Sequence, residues 1–281
     1  MTDLSHWTHS HRTGTRLRAP RWPQIPPLPL RVLANGIGLL VPASLLAIWY
    51  GVTAAHWVPA QILPPPAAVL EAFAVLLRDG DLQRNLAISL GRIGYGFGAG
   101  TLAGLLLGAG MGFSDGFDRF VRPTFLAISQ IPILAWLPFL MLLLGIGEAL
   151  KIVLVAKAVF TPVALGTRAG IRNVPKPYME LARVLRFTPA RTLYRVVLPA
   201  ALPQLFSGFR FGLTHAWLSL VAVELLASYE GIGYLMAYSR QLFQLDVMVA
   251  VMLVIGVIGL LFDGLLSLGE AWLQRRYGGM S

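Results

Sequence analysis

The chain has 281 residues, 56% of them hydrophobic and 13% charged, with no cysteine, a net charge of +10 and a mean hydropathy of +0.67. A soluble globular chain carries roughly 25% charged residues, and here the apolar residues are gathered into long blocks, so the composition belongs to a membrane protein. The basic excess, which in a soluble chain would point to nucleic acid, here marks cytoplasmic loops facing anionic lipid, and the lack of cysteine excludes disulfide and thiol chemistry.

Residues 1–31 are polar, with five arginines, a Pro-rich end and the alternating His6, His9 and His11. The histidines could hold a metal loosely, but a solvated cytoplasmic tail is the better reading. A cleavable signal peptide is not expected, because the apolar run that follows is of membrane-spanning length. Val32 to Tyr50 is the first predicted span, ended by His56, Trp57, Pro59 and the Pro64-Pro65-Pro66 run. Ala67 to Leu77 reads as an amphipathic helix on the outer surface, so that 32–84 form a first helix plus an external segment.

Residues 85–272 then form the membrane-spanning core. Ile93 to Ser114 is a second span dense in glycine, whose small-residue face should pack against protein. Asp115, Asp118, Arg119 and Arg122 make a short polar loop. Pro123 to Gly147 is a third span, kinked at Pro132 and Pro138. Ala149 to Leu165, Leu205 to Ala227 and Val247 to Leu266 are the remaining three, with a polar connector over 228–246 and a cytoplasmic tail over 273–281. The expected fold is therefore an all-α integral membrane protein of about six transmembrane helices.

With the N-terminus in the cytoplasm, sixteen Lys and Arg lie on inner segments and four on outer ones, so both termini are expected inside. The densest inner segment is 171–203, IRNVPKPYMELARVLRFTPARTLYRVVLPAALP, with six basic residues against Glu180. Its apolar residues recur at helical spacing, which predicts two short amphipathic helices closed by Leu198-Pro199 and Pro203. On this pattern alone it could equally lie on anionic lipid.

The same segment resembles the cytoplasmic EAA loop of permeases from bacterial ATP-binding-cassette importers. Glu180-Leu181-Ala182 stands at the EAA position and Val196-Val197-Leu198-Pro199 at the family's closing position. Arg186 occupies the place of the usual turn-forming glycine. The segments LPPPAAVLEAF, NLAISLGRIGYGF, QIPILAWLPFLMLLLGIGEALKI and EGIGYLM are similar to the branch importing aliphatic sulfonates, taurine and nitrate. The resemblance implies the type I importer permease fold, placed in the bacterial inner membrane. It also implies that Glu180, Leu181, Ala182, Arg183, Arg186, Leu198 and Pro199 couple the chain to an ATPase. The implied partners are two ATPase subunits that bind ATP and Mg, a second permease that makes a pair of identical chains, an external substrate-binding protein and membrane lipid; nucleic acid is not among them.

This chain has no G-x-x-x-x-G-K-[ST] phosphate loop and no catalytic cluster, so neither an ATPase nor an enzyme is expected. Ionisable groups inside spans are costly and become candidates for a translocation path: Lys157, His215 and Glu224, with Gln130 and Trp136 beside them. Lys157 could instead pair with Glu148 or Asp263, Glu224 could meet a docking protein or cap a neighbour, Arg210 reads as structural, and Arg92 is expected to snorkel to the interface. A self-contained secondary transporter or channel is the alternative function.

Overall fold

The computed structural model describes residues 28–277, with side chains over 40–271, and these residues are helical with no strand. The tail histidines lie outside the described residues. The chain divides after Trp49 into two units. The described part of the first is most of α1 (Leu28–Ala54), a helix with Pro42 inside it.

The second unit begins with the rest of α1 and continues into α2 (Pro66–Arg78), which starts at a proline whose fixed φ suits the first helical position. Its buried face, Val69, Ala72 and Leu76, follows helical spacing and packs on later helices, so α2 is part of the bundle as well as amphipathic. α3 (Asp81–Phe113) begins twelve residues before the expected span. At 1.5 Å per residue it is about 50 Å long, more than the roughly 30 Å hydrocarbon layer, so polar Asn85, Ser89 and Arg92 extend one helix rather than precede it.

The glycines of α3 set the core. Gly96, Gly100, Gly104, Gly108 and Gly112, four residues apart, lie against Val155, Val159, Val163, Thr167 and Ile171 of α6 (Glu148–Arg172). A Cβ at Gly100 would strike the Ala156 carbonyl, and one at Gly108 would fall 2.5 Å from the Ala164 carbonyl. The backbones approach as closely as glycine alone permits. Partner numbers rise together along both helices, so α3 and α6 run parallel, and the chain between them must return to the end where α3 began.

That return is made by α4 (Asp115–Ser129), a 3₁₀ turn (Ile133–Trp136) and α5 (Leu137–Leu144). α4 and α5 are bent by 89° at the break. The expected single span from Pro123 is thus a broken pair. Pro132 stands in the break and Pro138 in the first turn of α5, where neither needs a helical N–H. The expected polar loop at 115–122 is helical instead, because Ser114 accepts a bond from the Phe117 amide at 3.3 Å and Asp115 and Asp118 favour a helix start.

α7 (Lys176–Val184) and α8 (Pro189–Thr192) follow α6, and a π turn over Leu193–Val197 leads into α9 (Leu198–Ala227). α9 runs antiparallel to α6: Gly208 lies against Pro162 and Gly166, and Ala201 against Gly170. α10 (Ile232–Gln241) and α11 (Leu245–Tyr277) complete the unit, α11 packing antiparallel on α9 through the edge-on Trp217–Phe262 contact and the Arg210–Asp263 pair. Among the described residues four helices are long and apolar enough to cross a membrane, or five with the bent pair counted as one. The apolar part of α1 available to that count, Leu40–Ala54, is shorter.

Candidate functional site

The direction of each helix places the α3–α4 junction, the α6–α9 connection and the end of α11 at one end of the second unit. The basic island is an elbow at that end. Pro175, in extended backbone, precedes α7, and Pro177 lies in its first turn. One face of α7 turns inward through Ala182, 3% exposed. Glu180, Leu181, Arg183, Val184, Leu185 and Arg186 are exposed, Val184 at 79%.

The α7 C-terminus is closed by two bonds: Phe187 N–H donates to Ala182 O at 2.9 Å, and Arg186 N–H to Arg183 O at 3.0 Å. That pattern requires a left-handed residue just past the helix, and Arg186 supplies it with φ of 51°. The position usually held by glycine therefore keeps glycine's conformation without glycine. Thr188 then caps the next helix, accepting from Arg191 N–H at 3.4 Å, with Pro189 in first position. The second expected short helix is not a separate element, for Pro189–Ala227 is one continuous apolar stretch. Pro199 withholds an N–H from the ladder, and the π turn before it, where Leu198 N–H reaches Leu193 O, absorbs the interruption. Leu198 and Pro199 thus join the elbow to α9 rather than closing it.

Ion pairs between the end of α6 and α4 fasten the base of the elbow to the bundle. Arg168 grips Asp118 bidentately at 2.5 and 2.7 Å, and Arg172 reaches Asp115 at 2.8 Å and the Met111 carbonyl at 3.1 Å. Arg172 ends α6, so the base of the elbow is tied to α3 and α4. A cavity of ≈ 570 Å³ lies under it, lined by Phe113, Met179, Ala182, Phe187, Leu193 and Val197 among others. The spacing Arg168–Arg172 on one helix face was visible in the sequence; its partners, some fifty positions away, were not.

At the opposite end Arg92 corrects the expectation that it snorkels. It is 2% exposed and bound on all sides. Its guanidinium holds Glu148 bidentately at 2.6 and 2.7 Å, Glu224 at 2.8 Å, the Glu230 carbonyl at 2.8 Å and the Glu230 carboxylate at 3.3 Å. Glu224, expected on the path or at a docking surface, is 1% exposed and also accepts from Ser89 Oγ at 2.8 Å and the Gly233 amide at 2.9 Å. Lys151 closes on Glu148 at 2.9 Å, and Asn85 accepts from the Gly231 amide at 2.8 Å. Gly231 has φ of 108°, and a Cβ there would collide with the Glu224 carboxylate and the Arg92 guanidinium. The network ties α3, α6, α9 and α10 at one point, and its buried charges are paired and hydrogen-bonded, as burial demands.

Arg210 is structural, held by Asp263 at 2.9 Å and by Glu270 at 2.8 Å. Both carboxylates that could have paired with Lys157 are therefore engaged elsewhere. The Lys157 ammonium lies 5.0 Å from the Trp136 ring centre and opens on a cavity of ≈ 510 Å³. That cavity lies at the α4–α5 break and includes Ser129, Thr161, Phe211 and His215. The structure brings Lys157 and His215 together there, with Trp136 beside them. Gln130 is exposed at the break and does not line the cavity, and Glu224 lies in the Arg92 network.

Residues 100–278 match the family described as binding-protein-dependent transport system inner membrane component. The taurine transport system permease protein TauC of Escherichia coli K12 is 35% identical over 91% of this chain and 91% of its own length. A Bacillus subtilis permease named for aliphatic sulfonates transport, SsuC, is 37% identical over 85% of this chain and 86% of its own. The nitrate import permease protein NrtB of a Synechocystis strain is 30% identical over 82% and 86%. An inward-facing structure of the MetNI methionine ABC transporter, 20% identical, has the same fold with a TM-score of 0.55 over 70% of this chain and 95% of that one. The chain thus belongs to the inner-membrane components of binding-protein-dependent transport systems, and is a multi-pass transport permease rather than a catalytic enzyme.

Proposed function

We propose that this permease imports a small solute bearing an anionic group, of the sulfonate, taurine or nitrate type, driven by a separate ATPase that grips the elbow at 171–203. The observation that carries the coupling role is the elbow itself. α7 presents a carboxylate, Glu180, and exposed Leu181, Val184 and Leu185 on a short helix locked by its turn and anchored through Arg168 and Arg172. An amphipathic helix of this kind fits an apolar groove, and a stiff helix on a packed bundle transmits displacement. Two ATPase subunits carrying ATP and Mg²⁺, a second copy of this chain and an external binding protein complete the machine. Termini and elbow face the cytoplasm, as the sixteen-to-four distribution of basic residues supports. Domain roles follow: 1–31 and 273–281 are inner tails, 32–84 the first helix with its outer segment, and 85–272 the moving core.

The test is uptake of radiolabelled taurine and ethanesulfonate into proteoliposomes containing the permease with and without its ATPase and binding protein. Uptake that needs ATP and both partners is expected. Uptake by this chain alone, driven by an ion gradient, would establish the secondary transporter instead.

A further inference from the structure

We infer that the Lys157 cavity is an anion-binding site inside the membrane-spanning bundle, so that this chain selects its substrate by charge. The inference rests on the import reading above and deepens it. Arg92, Lys151, Arg168 and Arg210, cations on the described long helices, are each held by one or more carboxylates. Lys157 lies nine residues into α6 and has no carboxylate partner among the described residues. A cation kept within a transmembrane bundle needs compensation, because water is scarce and unpaired charge is costly there. The Trp136 ring offers its electron-rich face, which supplies part of that compensation without neutralising the charge.

The rest of the cavity suits an anion that arrives and leaves. Its ≈ 510 Å³ is of the size that holds small ligands. Ser129 and Thr161 bring hydroxyl groups, though the Ser129 hydroxyl also donates to Phe125 O at 2.7 Å. His215 Nδ1–H donates to Phe211 O at 2.8 Å, which fixes the ring at the cavity wall; Nε2 is then an acceptor in the neutral ring and donates to an anion only as the imidazolium. The Trp136 indole N–H is buried with no acceptor among the described residues, a second unmet donor next to the cation. Pro132 and the 89° bend place these groups at a break in the helix pair, where irregular backbone is tolerated because it borders a cavity. A sulfonate, with three acceptor oxygens on one negative group, matches a lone ammonium flanked by donors.

Purified permease in phosphatidylcholine nanodiscs tests this without any ATPase. Ethanesulfonate should raise the melting midpoint of the wild type and of Lys157→Arg, with at least about tenfold weaker binding to Lys157→Met, the factor expected for losing one charge-assisted contact. The neutral analogue ethyl methyl sulfone should produce no shift. Equal ethanesulfonate affinity for the Met variant, or an equal shift from the sulfone, would overturn the proposal. A shift given only by added phosphatidylglycerol would also overturn it, by assigning the cavity to a lipid headgroup. Binding retained alongside failed ATP-driven uptake would count against the import reading alone.

Discussion

Arg186→Gly should tighten the elbow. Arg186 holds φ of 51°, where an L residue brings Cβ against the following carbonyl at a cost of about 1–2 kcal/mol. Glycine removes that strain but adds freedom to the unlocked loop, worth about 0.4–1 kcal/mol in the other direction. The net is a turn more stable by about 0.5–1 kcal/mol, a two- to fivefold slower local opening. The two amides that report it are those of Arg186 and Phe187, bonded to Arg183 O and Ala182 O. Hydrogen exchange of the peptide over 182–190, corrected for intrinsic rates, should therefore slow two- to fivefold in Arg186→Gly. Arg186→Gln, which removes charge and keeps Cβ, should change little, and β-branched Arg186→Val should exchange faster than wild type. Unchanged exchange in the Gly variant together with unchanged exchange in the Val variant would refute the left-handed turn.

Gly100→Ala should destabilise by about 1–3 kcal/mol, since its Cβ meets the Ala156 carbonyl, whereas Gly98→Ala, with open space around it, should be neutral or mildly stabilising. Thermal melts of the purified permease compare the two, and equal effects would contradict the α3–α6 register. Arg92→Met strands Glu224 in a buried site and should cost about 3–5 kcal/mol by the same melt; Arg92→Lys should recover only part, because an ammonium cannot reproduce the fork that spans Glu148 and Glu224. Glu180→Lys, at an exposed position, should leave the melt within about 0.5 kcal/mol while abolishing co-purification of the ATPase. Retained co-purification would remove Glu180 from the contact.

Periodic features were legible in the sequence and paired ones were not. The apolar blocks gave the helices, the four-residue glycine repeat gave a close-packed face, and Pro132 marked the break between α4 and α5. The elbow could be placed from Glu180-Leu181-Ala182 and the closing Leu198-Pro199. What escaped were features decided by distant partners. Arg92 was assigned to the interface because its nearest compensating groups, Glu148 and Glu224, lie 56 and 132 positions away. α3 was cut short for the same reason: Arg92 looks like the end of a span until the acids that neutralise it are known. The first half of α4 was read as a loop because its charges disguise a capped helix, and the continuity of α8 into α9 was hidden by Pro199, which the π turn accommodates. Lys157 was recognised as a path candidate, yet its lack of a carboxylate partner among the described residues depended on where Glu148 and Asp263 had gone.

A photo-crosslinking amino acid at Val184, the most exposed apolar position of α7, measures the coupling contact most directly. In membranes holding the assembled transporter it should join this chain to the ATPase, with a yield that changes between nucleotide-free and ATP-bound states. Crosslinks confined to lipid, or to a protein on the outer face, would contradict the elbow as the point where the motor takes hold.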